Sequence, residues 1–176
     1  FAKKHKLKIA KIEDLISYRL KNERLIKCVS NKKIKIKNYG YYDLKIFKNI
    51  LDGAEHYAIT KGKFSKIKSI RVRVISTNVF NSFFNFNNNI FKNSLKHLNK
   101  FNHFALVLVK GSNSRPSLSE SSPILRYYGI GAQIIKELKI KRMILVSRSR
   151  KRIIALKGYG IKIIKQEIIK WRIKFV

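Results

Sequence analysis

Six consecutive apolar residues, Phe104, Ala105, Leu106, Val107, Leu108 and Val109, run between His103 and Lys110. A run this short and this apolar predicts a strand buried on both faces, because a strand with one wet face alternates. Ahead of it, Ile90, Phe91, Leu95 and Leu98 recur at helical spacing within residues 88–101. Behind it, residues 128–138 read as a second helix and Met143 to Val146 as another buried strand. Helices alternating with strands make the core α/β.

The flanking segments extend that order. Ile12, Leu15, Ile16 and Leu20 predict an amphipathic helix over residues 12–23, with Glu13 and Asp14 in the first turn, where the helix dipole favours anions. Lys and Ile alternate through residues 33–37, which predicts a half-buried strand after a turn at Ser30-Asn31 and a linker over residues 28–32. Residues 41–47, 56–61 and 70–75 read as strands separated by turn signals at Asn49, Asp52-Gly53 and Gly62. A Ser-, Asn-, Gly- and Pro-rich stretch over 111–122 reads as a loop. Residues 150–156 read as a short helix closed by Gly158, and 161–169 as a last strand. No fixed-period repeat is present, which argues against a solenoid.

A chain of 176 residues accommodates one domain with a real core and a short appendage. Lys, Arg, Asn or Ser breaks every apolar stretch, so no bilayer-spanning segment is expected. The segment opened by Phe1 lacks the pattern of a signal peptide, and the chain reads as cut from a longer one. Cys28 is the single cysteine, which excludes an internal disulfide and fits a reducing cytoplasm. The 41 basic and 9 acidic residues give a net charge of +32. Lysine is dispersed through nearly every segment and is abundant together with Ile and Asn, all encoded by AT-rich codons. The charge therefore reads as compositional drift, and any nucleic-acid binding is expected to be non-specific and counterion-driven.

Particular residues carry a family resemblance. Phe1-Ala2-Lys3-Lys4-His5-Lys6-Leu7 and Lys11-Ile12-Glu13-Asp14-Leu15-Ile16-Ser17-Tyr18-Arg19 resemble the last helix region of 3,4-dihydroxy-2-butanone 4-phosphate synthase. From about Lys32 onward the chain resembles GTP cyclohydrolase II. The matching stretches are Glu55-His56-Tyr57-Ala58 with Lys61-Gly62, Arg71-Val72-Arg73-Val74, Val79-Phe80-Asn81-Ser82, Arg126-Tyr127-Tyr128-Gly129-Ile130-Gly131-Ala132-Gln133-Ile134-Ile135, and Leu156-Lys157-Gly158-Tyr159-Gly160. The resemblance implies a mixed sheet covered by helices. It divides the chain into residues 1–28, the end of a synthase domain, and 32–176, a cyclohydrolase II-like domain. The synthase's own metal-binding and catalytic residues lie upstream of the resembling segment, and magnesium is expected there.

Family members hold a catalytic zinc with a strand ending in His-Ser-Glu-Cys and a later Cys-x-Cys. Here the first stretch reads Ile75-Ser76-Thr77-Asn78 and the second Asn85-Phe86-Asn87. An Asn amide is neutral and a weak zinc ligand, whereas a thiolate supplies charge, so no metal is expected in this domain. His97 and His103 flank a helix end rather than matching the zinc position.

Residual anion-binding candidates are Arg126, Ser147 and Arg152. Family members carry Asp-x-Arg before the Tyr-Gly-x-Gly-Ala-Gln helix, and here Ile124-Leu125-Arg126 keeps the Arg without the acid. Arg126 reads either as a phosphate contact or as a helix-start residue. Thr-Asn-Asn-Pro-x-Lys, a nucleotide contact in the family, becomes Ser147-Arg148-Ser149-Arg150-Lys151-Arg152. That cluster reads either as an anion site or as a solvated face. The Gln-Glu-Gly-Arg stretch that meets the triphosphate has no counterpart in residues 111–122. His56 reads as a packing residue in a strand.

The resulting expectation is a non-catalytic GTP cyclohydrolase II-like domain behind a synthase, in riboflavin biosynthesis, with a structural or dimerising role. Its expected partners are the preceding synthase domain in the same chain, a second copy as a homodimer, and weakly bound GTP or phosphate. Two alternatives stand beside it: an active cyclohydrolase II with a rearranged metal site, and a non-specific RNA- or phosphate-binding domain.

Overall fold

A computed structural model describes residues 1–10, 14, 18, 22–65, 67–77, 89–110, 122–150, 156 and 159–169, with only the backbone at 77, 89 and 122–128. The elements in order are β1 (Ile26–Ile36), β2 (Gly40–Asn49), β3 (Glu55–Lys61), β4 (Ile70–Thr77), α1 (Asn89–Leu98), β5 (Phe104–Lys110), α2 (Ser122–Glu137), β6 (Arg142–Ser147) and β7 (Lys162–Ile168). Ahead of β1, Asp14, Tyr18 and Asn22 are helical, within the helix expected over residues 12–23. Among the described residues no helix is long and apolar enough to cross a membrane.

All seven strands form one sheet in the order β1-β2-β3-β5-β4-β6-β7. β1, β2, β3 and β5 are successively antiparallel, whereas β5, β4, β6 and β7 are successively parallel. The sheet is therefore mixed, as the resemblance implies. Short turns join β1 to β2 and β2 to β3. Between β2 and β3, the Asn49 carboxamide accepts the Leu51 N–H at 3.0 Å and Gly53 takes φ +67°, the left-handed geometry that favours glycine.

The apolar run of β5 is explained by its two faces. Phe104, Leu106 and Leu108 pack with Phe91, Leu95 and Leu98 of α1 and with Tyr57, Ile59 and Val146. Ala105, Val107 and Val109 pack with Ile130, Ala132, Ile134 and Ile135 of α2 and with Ala58 and Val72. Every β5 residue from Phe104 to Val109 is thus buried, with side chains alternating between two helices. On the α2 side the helix comes close at Gly131, where an added Cβ would lie 3.4 Å from Val74 Cγ1.

Three expectations need correction. Residues 28–32 are not a linker and Ser30-Asn31 is not a turn: both lie inside β1, with Ser30 opposite Ile46 and Asn31 opposite Lys45. Their side chains lack alternation because the register shifts between Cys28 and Ser30, an edge-strand bulge that backbone pairing with β2 absorbs. Secondly, α2 begins at Ser122, six residues before the expected start, with Pro123 in its first turn, where a missing N–H is harmless. Arg126 is consequently one turn inside the helix rather than at its start. Thirdly, α1 closes at Leu98, and Phe101 follows in a turn whose N–H donates to Leu98 O at 2.9 Å. Of the short helix expected over 150–156, Arg150 is not helical, Leu156 lies in a 3₁₀ turn, and the rest falls outside the described residues.

Candidate functional site

The parallel strands put their carboxyl ends on one edge, marked by Thr77, Lys110, Ser147 and Ile168. α1 returns the chain from β4 to β5 over one face, and α2 returns it from β5 past β4 to β6 over the other. α1 and α2 thus pack on opposite faces of the sheet, with the carboxyl end of β4 between those of β5 and β6 at this edge. The segments singled out by the family resemblance leave from this edge, after Thr77, Lys110 and Ser147.

Arg73 is the principal described group beneath that edge. Apolar Ile70, Val72 and Val74 alternate with Arg71 and Arg73, which turns both arginines toward α1. Arg73 is only 5% exposed. Its Nε donates to Ser94 Oγ at 2.6 Å and its Nη1 to Val146 O at 3.2 Å. Ser94 in turn donates to Ile90 O at 2.6 Å. Burial first, and then the Arg148 charge, pull the guanidinium pKa down to about 10, so Arg73 is still cationic at neutral pH. The Arg148 charge is thus felt at Arg73, and guanidinium groups are the side chains best suited to an anion.

Ser147 ends β6 and is 8% exposed, with its Oγ donating to Ser149 O at 2.7 Å. The hydroxyl is engaged in shaping the Ser147–Ser149 turn, while Arg148 and Arg150 are exposed beyond it. His56 is buried, and its Nδ1 accepts the Lys110 N–H at 3.1 Å, which ties the end of β5 to β3. That is a packing role, as expected.

Farther from the edge on the same face, Arg71 makes a bidentate pair with Glu167, with both contacts at 3.1 Å. Its guanidinium also stacks 3.5 Å from the centre of the Phe101 ring. His97 Nε2 lies 3.7 Å from the same carboxylate. Burial lowers the His97 pKa below its ordinary value, against the upward pull of Glu167. His103 sits elsewhere, at the amino end of β5 against Gly62, where a Cβ would lie 2.6 Å from the imidazole. The two histidines therefore have separate packing environments, and among the described residues no three His, Cys, Asp or Glu side chains converge as metal ligands do.

Of the sequence-derived candidates, Ser147 is placed at the carboxyl edge. Arg126 is on α2, with its side chain outside the described residues, as are Arg152, Asn78, Asn85 and Asn87. Sequence reasoning placed Arg148 in a candidate anion cluster but missed Arg73 and Ser94 as candidates. Its one signal was Ser94 inside the apolar stripe of Phe91, Leu95 and Leu98. A groove of about 810 Å³ lies at the opposite edge, lined by the exposed Lys63, Lys68, Lys139, Lys141 and Arg142 and by the half-buried Asp43 and Lys45.

The model of the GTP cyclohydrolase II family matches residues 27–121 and 92–168. The chain belongs to that family. The match runs from the second residue of β1 to the last of β7, so the family region and the sheet coincide. Riboflavin biosynthesis protein RibBA of Aquifex aeolicus is 30% identical over 97% of this chain and 48% of its own length. A 3,4-dihydroxy-2-butanone 4-phosphate synthase of Photobacterium phosphoreum is 26% identical over 94% of this chain and 49% of its own. Among solved structures, RibBX of A. baumannii, a two-domain 3,4-dihydroxy-2-butanone 4-phosphate synthase, superposes with a TM-score of 0.72 at 27% identity, covering 96% of this chain and 48% of that one. The chain spans about half the length of these relatives. The cyclohydrolase II resemblance read from the motifs is thus established for the fold and family.

Proposed function

We propose that this domain is a non-catalytic member of the cyclohydrolase II family, carried behind a 3,4-dihydroxy-2-butanone 4-phosphate synthase in riboflavin biosynthesis. The observation that carries the reading is the donor set: Asn78, Asn85 and Asn87 stand where the family's zinc thiolates belong. Neutral amides neither balance the metal's charge nor bind it as thiolates do, and the residues present do not fit a zinc centre. No hydrolytic step is therefore assigned to the domain. Two relatives support the reading, because the Photobacterium protein and the two-domain RibBX are named for the synthase alone.

The retained role is structural. Both faces of the sheet keep complete apolar layers, so burial has been maintained where the metal ligands have not. The segment ahead of β1 is the end of the synthase domain, and the chain from β1 onward is the cyclohydrolase II-like domain of a cytoplasmic homodimer, with magnesium confined to the synthase. Arg73 and Arg148 support weak binding of GTP or phosphate at the carboxyl edge.

Elemental analysis and a formate-release assay with GTP test the proposal: less than one zinc per chain and no formate are expected. Stoichiometric zinc with formate release would make the domain an active cyclohydrolase II. Truncating the full-length protein after Arg24 tests the structural role. An equally active, stable and dimeric remainder would overturn it.

A further inference from the structure

The chain enters the sheet through one buried side chain on α2. Gln133 is 6% exposed, and both ends of its carboxamide are used on the segment ahead of β1. Its Oε1 accepts the Leu25 N–H at 2.9 Å, and its Nε2 donates to Glu23 O at 2.8 Å. The carboxamide orientation is unambiguous, since one partner only donates and the other only accepts. One turn farther along α2, Glu137 pairs with Arg24 at 3.2 Å. Leu25 is then held from its other side, because its carbonyl accepts the Ile50 N–H at 2.8 Å. Beyond it, Ile26 is fully buried as β1 begins.

We infer that Gln133 is a docking residue for the incoming polypeptide, clamping Glu23 to Leu25 onto α2 and so setting the direction from which a preceding domain joins the sheet. A side-chain carboxamide presents one donor and one acceptor in a plane, as a peptide unit does. It pairs with the N–H and C=O of residues two apart as a neighbouring strand would. Recognition is therefore of main-chain groups. The side chains of Glu23 and Arg24 are exposed, so their identity contributes little beyond the Arg24–Glu137 pair, which is itself solvent-screened. The partner this surface fits is a segment of the same chain, whatever its sequence. That the held segment is the exit of a synthase rests on the proposed function; the clamp itself does not.

Amide hydrogen exchange on the full chain tests the clamp, with the Leu25 amide as reporter and the Val107 amide, in the middle of the sheet, as the measure of global opening. Gln133→Leu keeps the size of the side chain and removes both hydrogen bonds. It is expected to speed Leu25 exchange roughly ten-fold, the effect of one buried hydrogen bond, with Val107 unchanged. Gln133→Glu keeps the acceptor for Leu25 and loses the donor to Glu23, so it should speed Leu25 exchange less than Gln133→Leu does. Unchanged Leu25 exchange in Gln133→Leu, or equal acceleration at Leu25 and Val107, would overturn the inference. Neither readout involves zinc, GTP or synthase activity, so failure here is separable from failure of the proposed function.

Discussion

From β1 to β3 each strand folds back on the last through a short turn, whereas β5, β4, β6 and β7 run parallel and depend on helices to return the chain. The consequences differ. In the antiparallel half, Ile34, Leu44 and Ile46 are only partly buried, and β1 forms an edge that tolerates a bulge. In the parallel half the strands near β5 are covered on both faces, and their carboxyl ends share one edge. The fully covered strands and the shared carboxyl edge thus lie in the same half, while the antiparallel half adds width to the sheet.

Truncating the core separates the halves most sharply. Leu106→Ala, at a fully buried position, should lose about 3 kcal/mol, and Leu44→Ala, half-buried on β2, about 1 kcal/mol. Urea midpoints at an unchanged slope measure both. Equal losses would show that the two halves are not distinct in packing.

The two arginines of β4 sharpen the comparison within the parallel half. Arg73→Ala should lose about 2 kcal/mol, because it leaves a void and strips the Val146 carbonyl of its donor. It should also abolish any rise of the thermal midpoint in phosphate. Arg71→Ala, at a partly exposed ion pair, should lose about 1 kcal/mol and leave the phosphate response intact. A phosphate response that survives in Arg73→Ala would exclude Arg73 from the anion contact.

A smaller effect is expected on acidification. The folded-state pKa of His97 lies below its ordinary value of 6.5, so the unfolded chain takes up a proton first as pH falls. The associated stability is present above about pH 6.5 and is lost as pH falls toward the folded pKa. His97→Gln should flatten that part of the stability profile, which denaturation at pH 7.5, 6.5 and 5.5 would reveal. Least of all, Gly131→Ala should stabilise by roughly 0.5 kcal/mol, since helix propensity favours Ala and the nearest atom is an ordinary 3.4 Å away. A loss would mean that α2 lies on the sheet too closely to shift.

The sequence by itself determined the α/β class, the buried central strand and the order of most elements. Periodicity records which neighbours along the chain share a face, and Phe104 to Val109 announce two covered faces by having no polar residue at all. It also supplies Asn78, Asn85 and Asn87, the residues on which the proposed loss of the metal rests. Tertiary structure decided the rest. Residues 28–32 became strand rather than linker through pairing with β2, and α2 began six residues early, ahead of the apolar pattern that marks its buried face. Arg73 meets Ser94 from 21 residues away, and Gln133 meets Leu25 from 108 away. Contacts across such separations leave no local pattern, since each residue alone is compatible with a solvated surface and only the packing of helix on sheet removes the water.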